Sequence, residues 1–349
     1  MFSTYDPSDV TLLLKDITGL VKPQPASERE PLIQRGVHYC EMLPLEYRPS
    51  PAYLETYERA LARYAGFTAR AVAGAAEQIY QQKGDGAVLV SLARAGTPIG
   101  ILMKRWLRRR HGVDPAHYSI SIIRGRGIDR NAMDTILARH DPASVQFVDG
   151  WTGKGAIQRQ LDAAMADYPG VSPALAVLSD PPGLAGLRGT YDDFLIPSAC
   201  LNATVSGLIS RTFLRGDIIG PGDYHGAAFY RELQGEDVTY AFIEAVERAF
   251  PDEAPAPEAP RAAGDAQAEL RGVMEDFGMR DINLVKPGIG EATRVLLRRL
   301  PWKVLVHSLR DEDHLGHLYR LAEEKGVPVV EYPLKRYRAC CLIRELADT

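Results

Sequence analysis

The chain has 349 residues, with 41 Lys and Arg against 45 Asp and Glu and a net charge of −4. At about 100–200 residues per domain this length predicts two domains, and a hydrophobic content of 46% excludes a disordered chain. The near-balance of charge excludes a protein that grips nucleic acid by bulk charge, but leaves room for local basic sites.

The N-terminal Met1-Phe2-Ser3-Thr4-Tyr5-Asp6 has neither a basic nor an apolar leader region. No apolar run approaches the roughly 18 residues of a membrane span. A cytoplasmic protein with no membrane partner is the expectation. Cys40, Cys200, Cys340 and Cys341 form no CxxC pair, which argues against a zinc site and for reduced thiols.

In chain order, Ser50 is a suitable N-cap and Pro51 a suitable first helical residue. Tyr53, Leu54, Tyr57, Leu61 and Tyr64 then recur at helical spacing. Gly66 is expected to interrupt that helix, with a second stretch running to Gln82. Strand and helix signals alternate from there. Strands are expected at 87–90, 118–123, 145–148 and 174–178, with helices at 98–110 and 155–168. The basic run 104–110 sits where cations suit a helix C-terminus. Such alternation predicts an α/β fold with a parallel sheet flanked by helices, and sites beyond the carboxyl ends of the strands. The run from Pro251 to Pro260 is rich in Pro, Ala and Glu and reads as an extended linker. The expected organisation is a domain over 1–250, a linker over 251–265 and a small α/β/α domain over 266–349. In the last of these, helices are expected at 291–300 and 311–325, with strands at 303–306, 327–330 and 338–344.

Three segments carry phosphate chemistry. Asp149-Gly150-Trp151-Thr152-Gly153-Lys154-Gly155 follows a strand and opens a helix. Its glycines let backbone amides approach an anion, Thr152 adds a hydroxyl, Lys154 adds a charge, and Asp149 is placed for sugar hydroxyls. The spacing is neither a Walker A motif nor GxGxxG. Ser91-Leu92-Ala93-Arg94-Ala95-Gly96 is a second strand–loop–helix junction, in which Arg94 can fork onto phosphate. Between them lies the basic loop Arg124-Gly125-Arg126-Gly127-Ile128-Asp129-Arg130, read as mobile.

These loops resemble, in kind and order, those of the type I phosphoribosyltransferases. Gly150 stands where that family usually has a second acid, and the loop after Asp149 is shorter than usual. The resemblance implies transfer of a ribosyl 5-phosphate from phosphoribosyl pyrophosphate to an unidentified small-molecule acceptor, a glycosyltransferase reaction. Mg²⁺ would act through the substrate, with Asp149 its indirect contact. Asp149, Arg124 and Arg126 would be catalytic. Ser91, Arg94, Ala95, Gly96, Arg130, Thr152, Gly153, Lys154 and Gly155 would hold the donor. Tyr191, Asp192 and Asp193 lie where a nucleobase pocket would form.

Near the C-terminus, Lys286-Pro287-Gly288-Ile289-Gly290-Glu291-Ala292-Thr293-Arg294 joins a glycine loop to a helix start, with Arg298 one turn on. It resembles the signature of Pelota-type RNA-binding domains, which implies RNA contact by Lys286, Gly288, Gly290, Glu291, Arg294 and Arg298. A domain used for packing or for forming a homodimer is the alternative. Together the two parts resemble a bacterial family encoded beside tellurite-resistance stress genes, some members of which are labelled cysteine protease. Two alternatives to the transferase therefore stand. One is a non-catalytic regulator that senses phosphoribosyl pyrophosphate or a nucleotide and binds RNA. The other is a cysteine protease using Cys200 with His225, or Cys40 with His38.

Overall fold

The computed structural model describes residues 3–261 and 264–345. Met1, Phe2, two positions of the expected linker (262 and 263) and the last four residues of the chain (346–349) lie outside the described residues.

The first sheet is built from β1 (Thr11–Leu12), β2 (Val88–Leu92), β3 (Ala116–Ile120), β4 (Val145–Val148), β5 (Leu175–Ser179) and β6 (Leu187–Thr190). Every pairing is parallel, in the order β1-β3-β2-β4-β5-β6. Strands β2, β4 and β5 are buried at every residue, as continuous apolar runs require when helices cover both faces. One face packs on α1 (Pro51–Lys83) and α2 (Gly96–His111) through Val72, Ile79, Leu102 and Trp106. The other packs on α3 (Ala156–Met165) and the helix Arg130–Leu137 through Leu161, Met133 and Ile136. The expected α/β class with a parallel sheet flanked by helices is observed.

The strand order positions the site. β2 connects through α2 to β3 on one side, while β4 pairs with β2 on the other. The chain direction across the sheet reverses between β2 and β4. The loops that follow these two strands therefore part, and leave a crevice at their carboxyl ends. Gly96 brings them close: a Cβ there would lie 2.5 Å from the carbonyl oxygen of Val148.

The helix expected to break at Gly66 runs unbroken from Pro51 to Lys83, capped by Ser50 Oγ accepting from the Tyr53 amide at 3.2 Å. The cost of one glycine, about 1 kcal/mol, is outweighed by burial of Tyr64, Ala65, Thr68 and Ala69 around it. The strand expected over 118–123 breaks at Ser121. Ile122–Ile123 turn away and pair antiparallel with Gly127–Ile128. The basic loop is thus the tip of an anchored hairpin rather than a free flap. Among the described residues no helix is long and apolar enough to cross a membrane.

The Pro-rich run lacks regular structure but lies on the first sheet's layer. Ala254 packs against the core, Glu258 accepts from Thr190 Oγ1, and the Arg261 amide donates to Tyr191 Oη at 3.2 Å. After α4 (Thr239–Arg248) and α5 (Gly264–Asp276) comes a smaller four-stranded sheet. It contains β7 (Val285–Pro287), β8 (Pro301–Val306), β9 (Val329–Glu331) and β10 (Ala339–Ile343) in the order β7-β10-β8-β9. Helix α6 (Ile289–Arg298) seats Ile289 and Leu296 in the same apolar cluster as Phe194 and Ile196. Helix α7 (Glu312–Glu324) is capped by Asp311, whose Oδ1 accepts from the His314 amide at 3.2 Å. The buried Asp193 ties the two parts, accepting from the Ile289 amide at 3.0 Å and the Arg338 amide at 2.8 Å. This engagement removes it from the nucleobase pocket expected around 191–193.

Candidate active site and interdomain cleft

The smaller sheet's domain roofs the crevice between β2 and β4 and closes it to a cleft of about 330 Å³. Arg94, Ala95, Arg124, Asp149, Thr152, Gly153, Lys154 and Gly155 line it from below, and Lys286, Glu291, Arg294 and Arg298 from above. The structure thus gathers most of the residues singled out in the sequence. It leaves others outside. Ser91 is buried against His117, with Oγ 2.7 Å from Nε2, and Gly96 packs on β4. Arg126 pairs with Glu41 at 2.9 Å and Arg130 with Asp167 at 2.7 Å, both away from the cleft. Gly288 and Gly290 are buried. Gly290 packs against the Trp151 ring, where a Cβ would clash, and the Arg294 guanidinium lies over that ring at 4.2 Å from its centroid. Tyr39, Arg211 and Arg299 also line the cleft. Arg211 sits in an irregular segment with no sequence signal.

Several of the cleft groups are already engaged. Arg94 pairs with Glu46 at 2.8 Å, and Arg294 with Glu291 at 3.0 Å. Lys154 Nζ donates to the Ile282 carbonyl, and Tyr337 Oη donates to the Gly153 carbonyl at 2.9 Å. Burial raises the Asp149 carboxyl to about 6, although its Oδ1 accepts from the Gly150 amide at 2.8 Å. The described residues contain no group of three or more His, Cys, Asp or Glu side chains fit to hold a metal.

A second site lies behind the cleft wall. His38 caps the single turn Tyr39–Glu41, and its Nδ1 faces the Cys40 amide at 3.4 Å and the Cys40 Sγ at 2.9 Å. Its Nε2 lies 3.0 Å from the Arg124 carbonyl oxygen, which can only accept. Nε2 must therefore carry the proton, and the Nδ1 lone pair faces both the Cys40 amide, from which it accepts, and the thiol. The carbonyl comes from the hairpin tip, held by Tyr39 Oη accepting from the Arg124 amide and Gln160 Oε1 accepting from the Gly125 amide, both at 2.9 Å. Burial pushes the Cys40 thiol above its ordinary value, against the pull of Arg126 and Arg211, and pushes the His38 imidazole below its own. The resting pair is a neutral thiol and a neutral imidazole; the thiol is fully buried and can also donate to the Leu214 carbonyl, 3.5 Å from Sγ, so its proton has two acceptors within reach.

Cys200 has no such partner. It is fully buried, and burial drives its thiol to about 12. His225, the proposed partner, places Nδ1 2.8 Å from Ser121 Oγ and gives its amide to Asp129 Oδ2. Among the described residues no hydrogen bond joins it to Cys200.

A thiol, a base and an acceptor that orients the base define the arrangement used for nucleophilic catalysis by cysteine. Residues 3–247 match the model of the tellurite-like stress resistance cysteine protease StiP, and residues 265–345 match that of the PELOTA RNA binding domain. A protein of Acinetobacter baylyi (strain ATCC 33305 / BD413 / ADP1) described as "Cysteine protease StiP" is 37% identical over 364 aligned positions, covering 98% of this chain and 94% of the relative. The chain belongs to the StiP family.

These findings correct the reaction expected from the sequence. The family and the relative are named for a cysteine protease, a hydrolase and not a glycosyltransferase. They give no support to phosphoribosyl transfer, or to phosphoribosyl pyrophosphate and a small-molecule acceptor as partners. The physical reason lies in the loops. Small residues and glycines at a βα junction serve close strand–helix packing in any parallel sheet, as Gly96 does here. The Asp149–Gly155 loop is roofed by Glu291, Pro287 and Tyr337.

Proposed function

We propose that the protein is a cysteine-dependent peptidase in which Cys40 is the nucleophile, His38 the general base and the Arg124 carbonyl the group that orients the base. The observation that carries the reading is the 2.9 Å approach of His38 Nδ1 to Cys40 Sγ, with Nε2 held by a carbonyl. As the thiol attacks a peptide carbonyl carbon, its proton passes to Nδ1, and the imidazolium is stabilised by the Arg124 oxygen. The same proton then protonates the departing amine as the C–N bond breaks, and water hydrolyses the thioester. The name of the family supports this reading. Cys40 is fully buried at rest, so access of a substrate requires the segments packed around it to move.

The test is cleavage of fluorescently labelled casein by the full chain and by Cys40→Ser and Cys200→Ala. Cys40→Ser is expected to lose activity by three orders of magnitude or more, on the order seen for removal of a nucleophile, and Cys200→Ala to keep it. Activity that survives Cys40→Ser and disappears in a well-folded Cys200→Ala overturns the assignment.

The match of residues 265–345 supports RNA binding as a second property. The basic residues that would provide it face the N-terminal domain, so RNA would meet them as a single strand entering the cleft. Weaker binding of a single-stranded RNA to Arg294→Ala than to the parent chain, with strong salt dependence, is the expected result. The finer description of the first domain as type I phosphoribosyltransferase-like, and of the second as Pelota-like, is our reading of the fold and carries no reaction.

A further inference from the structure

The cleft walls carry more positive charge than the protein neutralises. Arg94, Arg294 and Arg299 have carboxylate partners in Glu46, Glu291 and Glu30. Arg124, Lys154, Arg211, Lys286 and Arg298 also line the cleft, and among the described residues none of them has a carboxylate within salt-bridge distance. Of the lining residues only Asp149 and Glu291 are acidic. Burying like charges together is costly unless an opposite charge joins them. The cost is visible here: burial, together with neighbouring cations, pushes Lys286 down to about 7 and Lys154 to about 8. A separate observation points the same way. Thr152 is 5% exposed, lines the cleft, and its Oγ1 has no hydrogen-bond partner. The site also lies at the strand-order reversal, where open parallel sheets take their ligands.

We infer that the interdomain cleft is a binding site for a compact polyanion carrying two or more phosphate-like groups, held jointly by Arg124, Thr152, Lys154 and Arg211 of one domain and Lys286 and Arg298 of the other. The number of uncompensated cations calls for more than one negative charge. The volume suits a small molecule, and the roof formed by α6 excludes a duplex. The ligand bridges the two domains, so it reads their relative position. This inference is independent of the assignment of Cys40.

The experiment is titration calorimetry of the full chain with inorganic diphosphate and tripolyphosphate at low salt, alongside a single-stranded RNA. Binding of the small anions is expected to weaken about ten- to hundredfold in Lys286→Met and in Arg298→Met, as for loss of a charged hydrogen bond. Arg130→Ala, outside the cleft, should bind as the parent does. Thr152→Val, which keeps every charge, should weaken binding less and serves if a cation variant fails to fold. No binding of either small anion by the parent chain overturns the inference. So does binding that both cation variants, or a folded Thr152→Val with a failed pair, leave unchanged. RNA binding through Lys286 and Arg298 without small-anion binding overturns it in favour of a nucleic-acid site.

Discussion

The turn Tyr39–Glu41 and the turn Pro197–Cys200 are both single turns of tight helix that bury a cysteine completely. Around Cys200 the neighbours serve packing. Tyr53 Oη donates to the Cys200 carbonyl at 2.8 Å, and Ile196 and Ala199 belong to the shared core. Around Cys40 they are polar and aimed: an imidazole lone pair at the thiol, a carbonyl behind the imidazole, and the guanidinium of Arg211 donating to the Tyr39 carbonyl at 2.6 Å. Burial raises both thiols. Burial by itself therefore silences a cysteine, and a fixed base within reach is what can reverse that.

The largest expected effect separates the two turns by their chemistry. Removing the base in His38→Asn should lower kcat on a peptide substrate by about 10²–10⁴-fold, the usual contribution of general-base catalysis, with little change in melting temperature. An Asn variant that retains full activity, measured under the same conditions, would show that the imidazole only caps the turn.

The next effect separates them by stability. Tyr53→Phe leaves the Cys200 carbonyl buried without a donor, which should cost about 1–3 kcal/mol in chemical denaturation, while kcat stays close to that of the parent chain. A loss of activity beyond the loss of folded protein would give the Pro197–Cys200 turn a role in the chemistry and erase the contrast.

What was legible beforehand follows the range of the interactions. Strands β2, β4 and β5 could be read because a strand buried on both faces must be apolar throughout, and the α7 helix because Asp311 and the acids after it mark a helix start. The His38–Cys40 spacing was visible as a candidate. What makes the pair a candidate catalytic site was not, because the Arg124 carbonyl is a backbone atom 86 residues away and has no side-chain signature. The composite cleft was hidden for a similar reason. Lys286 and Arg298 read as RNA contacts, and nothing local to them signals that the packing of Gly290 against Trp151 sets α6 over the first domain. The phosphate loops misled about the reaction because their glycines answer to a packing requirement shared by many parallel sheets.

The smallest expected effect tests whether the hairpin tip positions the base. His38 lies below the ordinary histidine value because it is buried, and the hydrogen bond to the Arg124 carbonyl opposes that shift. The base works only when unprotonated, so kcat/KM should fall as pH falls, with its acid limb below pH 6.5. Gln160 holds the tip through the Gly125 amide at 2.9 Å without touching the dyad. In Gln160→Leu the carbonyl is less firmly held. Its contribution in favour of the imidazolium shrinks, and the acid limb should move to lower pH while kcat falls a few-fold, roughly the consequence of about 1 kcal/mol. The shift in the limb is the informative part. A merely structural Gln160 would lower kcat or stability and leave the pH profile in place, whereas a positioning residue must move the titration of the imidazole it helps to hold.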